Sequence, residues 1–161
     1  MKLKNKVALV TGGTAGIGRG ICHAFAKEGA KVAFVGRNEE RGKQTEKELL
    51  DLGCDAMYIQ ADLSDHEKLP SIIHRTVEKF GKLDILVNNA HNSKYALIED
   101  TTDEIMNLSF NTGFWPTFIL MKHALPYLKE TKGKVINFSS SAGVEGLSRQ
   151  GSYAAAKEAI R

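Results

Sequence analysis

The chain has 161 residues, 42% hydrophobic and 25% charged, which is the balance of one soluble globular domain able to bury a core. Twenty-two Lys and Arg against nineteen Asp and Glu leave a net charge of +3 with no basic stripe, so a nucleic-acid partner is not expected. Cys22 and Cys54 stand far apart without metal-ligand spacing, and the apolar run at residues 7–10 is too short for a signal peptide or a membrane span. These features predict free thiols, no metal, no membrane partner and a cytoplasmic location.

The apolar run at residues 7–10, bounded by a glycine-rich turn, predicts a strand buried on both faces. Ile17, Ile21 and Phe25 then recur every four residues and predict a helix face ending at Gly29. Residues 31–35 predict a second buried strand, 39–52 a highly charged helix stopped by Gly53, and 56–60 a third strand. Leu69, Ile72, Ile73, Thr76, Val77 and Phe80 follow helical spacing up to Gly81. A fourth strand is predicted at 83–87, and helix over 101–129 with interruptions at Gly113 and Pro116, the proline being expected to bend it. A fifth strand at 134–138 precedes a helix that carries Tyr153 and has just begun at Arg161. Strands alternating with helices predict an α/β fold, a doubly wound parallel sheet with right-handed crossovers.

Two stretches carry chemistry. Residues 11–18, Thr-Gly-Gly-Thr-Ala-Gly-Ile-Gly, lie between a buried strand and a helix. Glycines there let backbone N–H groups approach a pyrophosphate at the positive end of the helix. Near the other end, Tyr153 and Lys157 are four apart, so on a helix they share a face. A free phenol titrates near about 10, and a neighbouring ammonium favours the phenolate. Alone, that pair is a weak signal, since surface helices contain many such pairs.

Taken together, Thr11-Gly12-x-x-x-Gly16-Ile17-Gly18, Asn88-Asn89-Ala90, Asn111, Ser140 and Tyr153-x-x-x-Lys157 resemble the short-chain dehydrogenase/reductase (SDR) family, in order from Lys6 to Lys157. The resemblance implies a Rossmann-type fold over residues 1–161, a single NAD(P)-binding domain. It implies an oxidoreductase moving a hydride between nicotinamide and a carbonyl or secondary alcohol. It makes Tyr153 the acid/base, Lys157 its electrostatic partner and a holder of the nicotinamide ribose, and Ser140 a hydrogen-bond donor to the substrate oxygen. Asn111 would hold a bend and a proton-relaying water. Gly12, Thr14, Gly16, Ile17, Gly18, Leu63, Asn89 and Ala90 join the cofactor site by the same resemblance.

At the end of the second strand stand Gly36, Arg37 and Asn38, where an acidic residue would repel a 2′-phosphate. Gly36 would leave room and Arg37 can pair with phosphate, which predicts NADP(H) over NAD(H). Asp62 is read equally as an adenine contact or as the cap of the next helix. His91 stands where the family pattern has glycine. It is expected to point to solvent, the alternatives being a narrowed site or an added proton donor.

Family members usually continue well beyond the tyrosine helix, so the C-terminal part of the fold is expected to be missing. Two readings follow: the N-terminal part of an NADPH-dependent reductase, or an inactive nucleotide-binding fragment or pseudoenzyme. Intact Ser140, Tyr153 and Lys157 favour the first. A 3-oxoacyl thioester, a sugar, a steroid or a small ketone all suit it as substrate. A homodimer or homotetramer is expected by analogy alone.

Overall fold

The computed structural model describes residues 1–161. Its five strands are β1 (Val7–Thr11), β2 (Lys31–Gly36), β3 (Ala56–Gln60), β4 (Ile85–Asn88) and β5 (Lys134–Asn137). All neighbours pair in parallel, in the order β3-β2-β1-β4-β5, so the winding reverses between β1 and β4. This is the expected doubly wound sheet.

The period-two geometry of a strand explains why β1 is apolar throughout. Val7 and Leu9 enter a core with α3 (Leu69–Phe80) and α5 (Trp115–Thr131) through Leu69, Ile72, Ile73, Leu120 and Ala124. Ala8 and Val10 face the other way. They meet Cys22 and Ala26 of α1 (Gly16–Lys27) and Leu49 of α2 (Glu39–Asp51).

On α1 the buried residues are Gly18, Cys22 and Ala26, one position on from the predicted stripe, and Ile17 is 66% exposed. The small residues let the helix axis approach the sheet, leaving Ile21 and Phe25 half-buried at its flanks. Both cysteines are free and buried, and burial pushes the Cys22 thiol up to about 12, which keeps it protonated.

The long helical stretch is α4 (Asp103–Ser109), a π-type turn over Phe110–Phe114, and α5. The irregularity therefore falls on the π turn and Gly113. Pro116 is the second residue of α5, which follows the π turn directly, so its missing N–H falls within a continuous helical stretch. A short helix, α6 (Ala142–Glu145), precedes α7 (Gly151–Ile160), which bears Tyr153.

At the opposite, N-terminal end of the strands, buried Asp84 accepts the Val7 N–H at 2.9 Å and the ammonium groups of Lys6 and Lys82 at 3.0 Å each. It ties β1 to β4 away from any site. β5 pairs on one side only, and all four of its residues are exposed.

Candidate active site

The turn after β1 is fastened to the end of β4. Thr11 Oγ1 accepts the N–H of Asn89 at 3.0 Å and of Ala90 at 3.1 Å, and Asn89 Nδ2 donates to the Thr11 carbonyl at 3.0 Å. Gly12 has φ +70°, and a Cβ there would lie 2.9 Å from Asn89 Nδ2. A Cβ on Gly18 would run into the Gly12 carbonyl. Ala15 supplies no side-chain cap, so the first N–H groups of α1 carry none. The space beside Gly16 is open. An uncapped helix start against a glycine turn suits an anion.

A cleft of about 330 Å³ opens along the C-terminal ends of β1 to β4. Of the predicted cofactor residues, Gly12, Thr14, Arg37, Asp62, Leu63, Asn89 and Ala90 line it. Gly16, Ile17 and Gly18 form the first turn of α1 and do not line it. Asn38 does not line it either. Its side chain caps α2, accepting the Arg41 N–H at 2.8 Å. Gly36 also lines the cleft, and a Cβ there would meet the Thr14 side chain.

Asp62 is not the N-cap of the following turn: that position belongs to Asp65, whose side chain makes no capping bond. Asp62 Oδ1 instead accepts the Ser64 N–H at 2.9 Å and the Ser64 hydroxyl at 2.8 Å. Those bonds, the backbone one first, with Arg37 nearby, hold its carboxyl below the ordinary value against the opposing effect of burial. The cleft therefore offers a glycine turn, an open helix start, an exposed arginine and an acidic residue in the pattern a dinucleotide phosphate chain and adenosine require. The residues fit a nicotinamide dinucleotide.

Tyr153 and Lys157 do share one face of α7. Lys157 is 4% exposed, its Nζ donates to the Phe138 carbonyl at 2.7 Å, and it lies 5.8 Å from the centre of the Tyr153 ring. Burial lowers the lysine pKa. Ser140 is half-buried, and its Oγ accepts the Ala142 N–H at 3.2 Å. The neighbouring Ser139 donates to the Lys157 carbonyl at 3.4 Å, an ordinary strand-end role. Asn111 lies in the π turn, and its carbonyl accepts from His66 Nε2 at 3.0 Å.

His91 overturns the expectation of a solvent-facing residue. Its ring turns inward, edge-on to Tyr153, with ring centres 4.9 Å apart at 82°. A Cβ on Gly113 would collide with the imidazole, so glycine in the π turn creates the space that histidine fills. Burial, and secondarily the Lys157 ammonium, lowers its pKa to about 4. His91 also lines the cleft, so one side chain touches both the cleft and Tyr153, whereas Tyr153, Lys157, Ser140 and Asn111 do not line it. The sequence signal was its departure from glycine; its direction depends on Gly113 and Tyr153, both distant in the chain.

A second hollow of about 290 Å³ lies between residues 96–99 and 147–151, joined by the bridge from Ala96 to Gln150. No helix is long and apolar enough to cross a membrane.

Comparison with known proteins agrees with this geometry. The family model described as short chain dehydrogenase matches residues 6–161. The chain is 39% identical to a 12α-hydroxysteroid dehydrogenase of Clostridium sp., over 97% of its own length and 63% of that protein. It is 36% identical to the L-fucose dehydrogenase of Rattus norvegicus, over 99% of its length and 58% of that protein. A short chain dehydrogenase from Burkholderia cenocepacia, solved in complex with NADP, superposes with a TM-score of 0.95 at 32% identity, covering 99% of this chain and 66% of that one. The chain thus spans less than two thirds of the length of each of these relatives, and over that span it belongs to the short-chain dehydrogenases.

Proposed function

We propose that this chain forms the dinucleotide-binding and catalytic part of an NADP(H)-dependent oxidoreductase acting on a carbonyl or secondary-alcohol substrate. The observation that carries the reading is that the cleft beside the glycine turn reaches His91, whose ring packs against Tyr153 of the Tyr153–Lys157 pair. Relatives named for steroid and sugar dehydrogenation support the substrate class without choosing within it.

Bound nicotinamide supplies the hydride; the protein supplies position and electrostatics. The glycine turn and the open start of α1 hold the phosphates, and Arg37 at the rim pairs with a 2′-phosphate. Asp62 and Leu63 flank the adenine, and Asn89 and Ala90 the inner ribose. In the reductive direction Tyr153 donates its phenolic proton to the substrate oxygen, and the Lys157 ammonium stabilises the phenolate left behind. The Ser140 hydroxyl donates to the same oxygen as charge develops there. Asn111, in the π turn, anchors the proton path toward Lys157. Homo-oligomerisation and a cytoplasmic setting complete the proposal.

The test is NADPH binding followed by turnover on a panel of ketones, for the wild type and Tyr153→Phe. The variant should lose turnover by about 100-fold or more while keeping its NADPH affinity. Undiminished turnover in Tyr153→Phe would overturn the assignment.

A further inference from the structure

We propose that Tyr58 is a positioning residue for coenzyme choice: with Gln60 it fixes the turn that carries Arg37, and through that turn the preference for a 2′-phosphate. This rests on reading the cleft as an NADP(H) site.

The turn after β2, Gly36-Arg37-Asn38, is held from β3 by side chains. Tyr58 and Gln60 stand two apart on that strand, so they leave it on the same side. The Tyr58 hydroxyl donates to the Gly36 carbonyl at 2.9 Å and shares its proton with the Asn38 carbonyl at 3.2 Å. Between them, the Arg37 carbonyl accepts from Gln60 Nε2 at 3.2 Å. Three consecutive carbonyls are thus tied to one neighbouring strand. Burial, and secondarily the Glu39 carboxylate, raises the Tyr58 pKa, so the phenol keeps the proton it donates.

Tyr58 is itself firmly placed. Its ring packs against Phe34 of β2, with centres 5.5 Å apart. A Cβ on Gly42 of α2 would run into the ring, so a residue that weakens a helix interior is the one that admits it. On β3, which pairs with β2 alone, the Tyr58 N–H donates to Glu46 Oε1 at 2.7 Å.

These bonds matter because the Arg37 side chain is weakly held. It is 63% exposed, and its ion-pair partner Asp62 is 4.0 Å away. A long side chain loses rotamer freedom when it grips a phosphate, and a fixed backbone reduces what has to be ordered. Neither Tyr58 nor Gln60 lines the cleft, so their effect on the coenzyme passes through the turn.

The test is the ratio of NADPH to NADH affinity in wild type, Tyr58→Phe and Gln60→Leu, each repeated with Arg37→Ala. Phenylalanine keeps the ring packing and removes only the hydroxyl. Should it fail to fold, Gln60→Leu, at an exposed position, decides alone. The expected result is a ratio lowered about fivefold in Tyr58→Phe and about threefold in Gln60→Leu. The loss should fall on NADPH, with NADH affinity within about twofold of wild type, and it should vanish once Arg37 is alanine. An unchanged ratio overturns the proposal. Equal weakening of both coenzymes with a lower Tm also does so, because it makes Tyr58 a packing residue. A loss that persists without Arg37 overturns it too. Wild-type protein with equal affinity for both coenzymes would instead overturn the NADP(H) reading, and this inference with it.

Discussion

Arg37 Nη1 faces Asp62 Oδ2 at 4.0 Å across the mouth of the cleft, with both side chains about half exposed or more. At that distance and exposure the pair contributes little, on the order of 0–1 kcal/mol. Arg37 is therefore free to exchange Asp62 for a stronger partner, and a 2′-phosphate is one. Arg37→Asp should weaken NADPH binding by about tenfold or more and leave NADH binding within a few-fold. Equal dissociation constants for NADPH in the two proteins would remove the basis for an NADP(H) preference.

The glycines of the first turn and helix are not equivalent. A Cβ at Gly18 meets the Gly12 backbone, which cannot yield, so Gly18→Ala should cost about 2 kcal/mol and disturb dinucleotide binding. Gly20 lies two residues further along α1 with nothing within 4 Å of its would-be Cβ. Gly20→Ala should stabilise by about 0.5–1 kcal/mol, because alanine loses less backbone entropy in a helix. Thermal melts of the two variants should move in opposite directions; movement in the same direction would contradict the packing described for α1.

Asp84 gives a signed pH dependence. Burial opposes its charge, but the Val7 N–H and the Lys6 and Lys82 ammonium groups outweigh it and hold the carboxyl below the ordinary carboxylate value. A lowered folded-state pKa means that the unfolded chain binds the proton more readily. The stabilisation is thus fully present above the unfolded value, near about pH 4, and is lost as pH falls through the folded value. Asp84→Asn should cost about 2 kcal/mol at pH 7, and its deficit relative to wild type should shrink below about pH 4 in urea titrations. A deficit independent of pH would point to packing as its source.

β5 leaves Val135 and Ile136 40% and 43% exposed on a strand with one unpaired edge. Such an edge invites pairing with another chain, and a lysine on it discourages that. Ile136→Lys should lower concentration-dependent light scattering while changing stability by less than about 0.5 kcal/mol. Unchanged scattering would show that association, if present, uses another surface.

The order of elements was legible because it rests on local physics. Residues 69–80 show a clean 3.6-residue stripe ended by a glycine at φ +81°, and the helix occupies that span. The continuous apolar runs of β1 and β2 could belong only to strands buried on both faces, and the glycine turn marked the start of α1. The spacing of Tyr153 and Lys157 likewise needed nothing beyond helical geometry.

Tertiary structure decided what depends on distant partners. The buried face of α1 follows its small residues, since contact distance to a sheet outranks hydrophobicity when Gly18 must pass the Gly12 carbonyl. The irregular turn settles at Phe110–Phe114, where Gly113 admits the His91 ring, just before Pro116. Gly36 is needed where Thr14, 22 positions earlier, packs against it at the cleft. The local sequence around His91 predicts a polar loop residue. It faces inward because Gly113 and Tyr153, 22 and 62 positions later in the chain, leave a space that fits an imidazole ring.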